Sequence, residues 1–156
     1  MRRPKLLLFV VLTAVAAFAA LEVLTRLPTL EGRTQTRAFV NTQGTPLGKA
    51  IAPLAAKHAG LSAIYPLADA RDAFTARAAM ARAATRSIDA QYYIWHRDRT
   101  GSFLFNELDR AADRRVRVRL LLDDNTTRGL DGVIATLDAH PNIEIRLFNP
   151  FVLRKP

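Results

Sequence analysis

Residues 87–151, SIDAQYYIWHRDRTGSFLFNELDRAADRRVRVRLLLDDNTTRGLDGVIATLDAHPNIEIRLFNPF, switch repeatedly between two hydrophobic periods, and that switching decides the fold class. Ile88, Ala90, Tyr92 and Ile94 alternate with Asp89, Gln91, Tyr93 and Trp95, the period of two that marks a strand. Gly101-Ser102 is expected to break the chain and cap a helix whose Leu104, Leu108, Ala111 and Ala112 share one face. From Val116 to Leu122 the sequence is β-rich and almost wholly apolar at its end, as in a strand covered on both faces. After Asp123-Asp124-Asn125, Leu130, Val133, Ile134 and Leu137 recur at helical spacing. His140-Pro141-Asn142 ends that helix, and Ile143, Ile145 and Leu147 form a third strand. Strands joined by helices of this length pair in parallel through right-handed crossovers. The expected class is α/β, a mostly parallel sheet flanked by helices.

Upstream of this core lie three simpler pieces. A short basic head containing Arg2, Arg3 and Lys5 precedes an apolar run from Leu6 to Leu21, broken by Thr13 alone. Sixteen helical residues span roughly 24 Å, short of a ~30 Å hydrocarbon core, but a helix continuing to Leu24 would nearly cover it. Ala17-Phe18-Ala19 offers a small-x-small cleavage pattern, so residues 1–25 are either an uncleaved anchor, which we favour, or a signal peptide. In both cases the basic head stays cytoplasmic and the body is exported. That places the body at the periplasmic or outer side of a bacterial inner membrane, or free after cleavage.

Residues 26–60 read as a linker followed by an amphipathic helix, with Thr45 as cap, Pro46 in the first turn and Gly60 as the stop. A further helix, from about Ala70 to Thr85, is capped by Asp69 and carries Phe74, Ala78 and Ala81 on its apolar side. Residues 61–156 form the main domain.

The 23 Lys and Arg residues outnumber 14 Asp and Glu, a net charge of +9 that suits an anionic partner: acidic lipid, nucleic acid or a phosphorylated substrate. With no cysteine, the sequence excludes disulfides, Cys-ligated metals and the lipidated cysteine of a lipoprotein. It also lacks GxGxxG, GxxxxGK[ST] and GxSxG, which argues against dinucleotide, P-loop and nucleophile-elbow chemistry. No His, Asp and Glu residues fall at metal-ligand spacing, so neither a metal nor a cofactor is expected.

In open parallel sheets, ligands bind beyond the carboxyl ends of the strands. Those ends bring together Tyr93, Trp95 and His96, then Asp123, Asp124 and Asn125, then Asn149-Pro150. The first two clusters are the candidate substrate-binding residues. Asp123 and Asn125 also suit ordinary turn and cap roles, and Tyr93 and Trp95 could cover the sheet. His58 and His140 sit at helix ends where a cation suits the dipole. None of the three histidines has lysine two positions later, so no catalytic residue is assigned.

Three blocks, IDAQYYIWHRD, FLFNELDRAADRRVRVRLLLDDN and GLDGVIATLDAHPNIEIRLFNPF, resemble the opening of a phospholipase D-superfamily domain of the cardiolipin synthase-like kind. The similarity runs roughly from Thr45 to Pro156, and LGKAIAPLAAKHAGLSAIYPL is its weaker part. One departure is Arg115, where that family usually has glycine; the left-handed conformation expected there costs a non-glycine residue roughly 1 kcal/mol.

The resemblance implies phosphodiester transfer without a metal. Two HxKxxxxD motifs would meet at a shared site, one histidine attacking phosphorus and the other protonating the leaving alcohol. Neither motif occurs in residues 1–156, so the expectation is an amino-terminal, catalytically silent part of such an enzyme, partnered by a missing carboxyl-terminal catalytic part and a phospholipid membrane, with anionic lipid favoured. The nuclease branch of the superfamily and a non-catalytic membrane-associated binding module are the alternatives. The anchor disfavours nucleic acid as a partner.

Overall fold

Three parallel strands, β1 (Ser87–Tyr92), β2 (Arg117–Asp123) and β3 (Ile143–Phe148), lie side by side in chain order in the computed structural model, which describes residues 3–26, 31 and 34–151. Parts of the linker, the first two residues of the basic head and the last five residues of the chain lie outside that description. The register pairs Ile88 with Val118, Ala90 with Leu120 and Tyr92 with Leu122; on the other side Val118, Leu120 and Leu122 meet Ile143, Ile145 and Leu147. All of these point to one face because side chains alternate along a strand. The three strands therefore share one apolar surface.

That surface is buried by two crossover helices, α4 (Arg99–Asp113) and α5 (Asp131–Asp138). Leu104, Phe105, Leu108, Ala111 and Ala112 of α4 pack with Val118, Leu120, Leu122, Leu130, Leu137 and Ile143 in one core. The alanines let the helix axis approach the sheet closely. The remaining helices before the sheet are α1 (Arg3–Leu24), α2 (Pro46–Ala56) and α3 (Ala70–Ala83), and α3 packs on α4. Asp69 caps α3 by accepting from Arg71 N at 2.8 Å and Asp72 N at 3.2 Å, and Thr45 caps α2 through Gly48 N at 3.0 Å, both as expected.

Three expectations need correction. The first strand stops at Tyr92, three residues early, and the alternation then inverts: Ile94 is exposed while Trp95 is buried. The chain turns there because Trp95 stacks on Phe105 at 4.4 Å and meets Tyr92 edge-on at 4.6 Å. Secondly, Gly101-Ser102 neither breaks nor caps α4. Asp98 is the cap, its Oδ1 accepting from Gly101 N and from the Thr100 hydroxyl, both at 2.7 Å. Gly101 is glycine for a different reason: a Cβ there would collide with the His96 carbonyl and touch the Trp95 indole.

Thirdly, β2 is covered by helices on one face, not two, among the described residues. Its other face carries Arg117, Arg119 and Leu121 beside Asp89, Glu144 and Arg146, all in or near ion pairs. Arg119 holds Asp89 at 2.5 Å, which keeps the Asp89 carboxyl below its usual range. The strand alternates at its start, and that half of its pattern outweighs the apolar run at its end.

Part of the segment read as a linker lies on this second face. Arg117 donates to the Arg37 carbonyl at 2.8 Å and Arg119 to the Thr36 hydroxyl at 3.1 Å. Arg86 binds the Asn41 carbonyl, and the Phe39 ring lies beneath the Arg117 guanidinium at 3.7 Å and the Arg86 guanidinium at 4.9 Å. The compact unit that contains the sheet accordingly spans Thr36–Pro150, while α1 belongs to a separate unit.

Helix α1 includes Glu22, Val23 and Leu24, beyond the uninterrupted apolar run. Its stretch Pro4–Leu24 has 21 residues, with an 18-residue window of mean hydropathy 2.6 that is not buried within the protein. At 1.5 Å per residue it is about 32 Å long, enough for a bilayer core. The Thr13 hydroxyl donates to the Phe9 carbonyl at 2.9 Å, so its one polar interruption is satisfied within the helix.

Candidate functional site

The carboxyl ends of the three strands are tied together by side chains from the loops that follow them. Trp95 N donates to the Thr126 hydroxyl at 3.0 Å, joining the end of β1 to the turn after β2. Asn149 Nδ2 donates to Asp123 Oδ2 at 3.3 Å, joining β2 to the end of β3. These two hydrogen bonds join residues of all three stretches at one edge of the sheet, the rim.

Its members divide by exposure. Asp123 is buried, and its Oδ1 accepts from Asn125 N at 2.9 Å, starting the 3-10 turn Asp124–Thr126. Asp124 is 1 % exposed and accepts from the Thr127 hydroxyl, which is itself fully buried. Trp95 is 4 % exposed and belongs to the core. These three side chains hold the rim in shape. Tyr93, His96 and Asn125 are exposed.

His96 lies beside Arg97 and Arg99, also exposed, so the β1 side of the rim presents cationic groups. Asp98 stands among them but is committed to its cap. The backbone hydrogen bond from Gly101, with help from Thr100, holds its carboxyl below the usual range. Asn149 has a positive φ of 49°, a conformation that asparagine tolerates better than most residues.

Sequence reasoning missed Thr126 and Thr127. Their signal was the pair Thr126-Thr127 following Asp123-Asp124-Asn125, hydroxyls placed where a turn needs local acceptors and donors. The other histidines take structural places. His140 Nδ1 accepts from Asn142 N at 3.1 Å, and its Nε2 lies 3.5 Å from Asp113, at the turn into β3. His58 lies in the turn after α2, where its carbonyl accepts from Leu61 N at 3.0 Å. No group of three His, Asp or Glu side chains among the described residues could hold a metal ion.

The chain is similar to curated proteins of two bacteria. It is 52% identical over 108 residues to cardiolipin synthase C of Escherichia coli, a match covering 69% of this chain and 23% of that protein. Two uncharacterized proteins of Helicobacter pylori are 40% identical over 113 residues and 43% identical over 96 residues, with 70% and 60% of this chain covered. The chain spans between 18% and 23% of the length of these curated relatives. No family model matches it. A relationship to cardiolipin synthase-like proteins of the phospholipase D superfamily is shown by the first match, as the resemblance of the three blocks implied.

Proposed function

We propose that this relative of cardiolipin synthases is the amino-terminal, membrane-anchored part of a phosphatidyltransferase, and the identity of 52% over 108 residues carries that reading. Cardiolipin synthase-like chemistry moves a phosphatidyl group from one phospholipid to the head-group hydroxyl of another. One histidine attacks phosphorus while a second protonates the leaving alcohol, and the acceptor hydroxyl, giving its proton to that second histidine, then displaces the first. In this reading, those histidines and their lysines belong to the remainder of a longer protein. The 156 residues contribute the anchor, a sheet and a rim.

The rim's part is to receive the anionic head group. Exposed Arg97 and Arg99 offer positive charge beside His96, Tyr93 and Asn125, while Trp95, Asp123 and Asp124 keep that edge rigid. The body faces the periplasm, because Arg2, Arg3 and Lys5 precede the apolar helix and positive flanks stay in the cytoplasm.

The test compares the chain with the full protein. Phosphatidylglycerol is supplied to each in vesicles, and cardiolipin is followed by thin-layer chromatography. The longer protein is expected to make cardiolipin and the 156-residue chain to make none. Turnover by the short chain that is abolished by His96→Ala would overturn the division of labour. Absence of turnover by the longer protein would favour the binding-module reading. A reporter active outside the cytoplasm alone, fused after residue 156, is expected to be active.

A further inference from the structure

Between the end of α2 and the start of α3, residues 61–67 (LSAIYPL) form neither helix nor strand. Ile64 is 89 % exposed, Tyr65 85 % and Leu61 75 %. Three large apolar or amphipathic side chains within five positions make a concentrated exposed patch, of the kind that marks an interaction surface. We propose that these residues insert into the interface of an anionic bilayer, giving the body a peripheral membrane contact besides α1.

Three observations select a bilayer as the occupant. Leu61, Ile64, Tyr65 and Leu67 lie on a segment that is neither helix nor strand, so it presents no regular stripe to a protein groove or sheet edge. A fluid lipid surface makes no such demand. Charge is the next point: from Gly32 to Ala68 the sequence has no Asp or Glu, while Arg33, Arg37, Lys49 and Lys57 are all basic. Such a run is attracted to acidic head groups. The third is covalent. About twenty residues separate α1 from α2, so once α1 is embedded the second contact forms at high effective concentration. That clause rests on the reading of α1 as a membrane helix.

The depth of insertion follows from backbone chemistry. Irregular backbone cannot enter hydrocarbon with its N–H and C=O groups unpaired, so the peptide groups stay at head-group level and the side chains reach inward. Tyr65 suits that boundary, with an apolar ring and a polar hydroxyl.

Because the sequence contains no cysteine, a single introduced cysteine can carry an environment-sensitive fluorophore at one chosen place. Ile64→Cys, the control Asn106→Cys on the exposed side of α4 and Ala16→Cys within α1 are each labelled in the full chain and reconstituted into phosphatidylcholine vesicles with or without phosphatidylglycerol. Quenchers are attached to lipid at shallow depth, attached at the bilayer centre, or dissolved in water. The label at position 64 is expected to be quenched several-fold more strongly by the shallow lipid quencher than the label at 106, with phosphatidylglycerol increasing the difference. Equal quenching at 64 and 106 would overturn the proposal. Protection at 64 from both lipid and aqueous quenchers, which means cover by protein, would overturn it too. The label at 16 reports the anchor by itself: deep quenching there without shallow quenching at 64 rejects the loop contact and leaves the anchor intact. Cardiolipin synthesis does not enter any of these readouts.

Discussion

Arg82 on α3 grips Glu107 on α4 with two parallel hydrogen bonds, Nε to Oε2 and Nη2 to Oε1, each 2.8 Å long, although Glu107 is 2 % exposed. A carboxylate so placed is costly unless paired, and the fork supplies the pairing. Other contacts work beside it. Arg114 reaches across from the end of α4 to the carbonyls of Ala81 and Arg82, satisfying acceptors that the last turn of α3 leaves open. Phe74 and Phe103 meet at 5.6 Å. Helix α3 is mostly alanine and arginine, so the polar contacts supplement the small apolar face, Phe74, Ala78 and Ala81, by which it docks on α4.

Removing one partner of the fork is therefore expected to cost more than removing both. Arg82→Met leaves the Glu107 carboxylate with the more distant Arg110, 3.9 Å away, and should lower the urea midpoint of the sheet-containing unit. Pairing it with Glu107→Leu should recover part of that loss. Urea denaturation midpoints for the two single variants and the double variant give the comparison, and additive losses would contradict it.

Acid should loosen the same unit. Arg82 holds the Glu107 carboxyl below its usual range, Arg119 does so for Asp89, and the Gly101 backbone N–H does so for Asp98. A depressed folded-state pKa means that the carboxylate contributes stability above its unfolded value, and this is lost as pH falls through the folded one. Thermal midpoints should accordingly hold steady near neutrality and drop below the ordinary carboxylate range, around pH 4. Arg119→Gln should reduce the part of that slope due to Asp89.

The three strands, their parallel pairing and the caps at Thr45 and Asp69 were legible because each rests on local chemistry: period-two residues, crossover length and a side-chain oxygen before a helix. The inward turn of Trp95 was not legible, since nothing local distinguishes a tryptophan that continues a strand from one that folds back onto Phe105. Gly101 misled for a similar reason. Its missing side chain answers to the His96 carbonyl, a neighbour that only the folded loop brings close. The rim's position could be read from the strand ends. Which of its residues are buried could not, because Asp123 and Asp124 have the same local signature whether they face a ligand or tie a turn.

Arg115 adopts φ of 67°, the left-handed conformation expected at that position. Its backbone follows α4 and leads into β2, with Arg115 N bonded to Ala112 O at 2.8 Å. Arg115→Gly is expected to stabilise the unit by about 0.5–1 kcal/mol, the relief of strain less the added freedom of the unfolded chain. Arg115→Val should act in the opposite direction, because a β-branched residue tolerates positive φ poorly. Chemical denaturation of both variants checks the pair of signs.

Gly101→Ala provides the sharpest test of how the rim is held. The added Cβ would run into the His96 carbonyl and come within 3.0 Å of Trp95 Nε1. Backbone cannot yield as a flexible side-chain end does, so either the first turn of α4 shifts or the 95–96 turn opens. The cost should be of the order of 1–3 kcal/mol, as for other overpacked sites. Trp95 is the single tryptophan, so its emission reports on this place alone. Displacement from its stack on Phe105 should move the emission to longer wavelength in Gly101→Ala under native conditions. The signal of Asn106→Ala, an exposed change further along α4, should stay where it is. An unshifted Trp95 spectrum together with an unchanged denaturation midpoint in Gly101→Ala would mean that the turn does not press on α4, and that the hydrogen bond between Trp95 and Thr126 holds the rim without it.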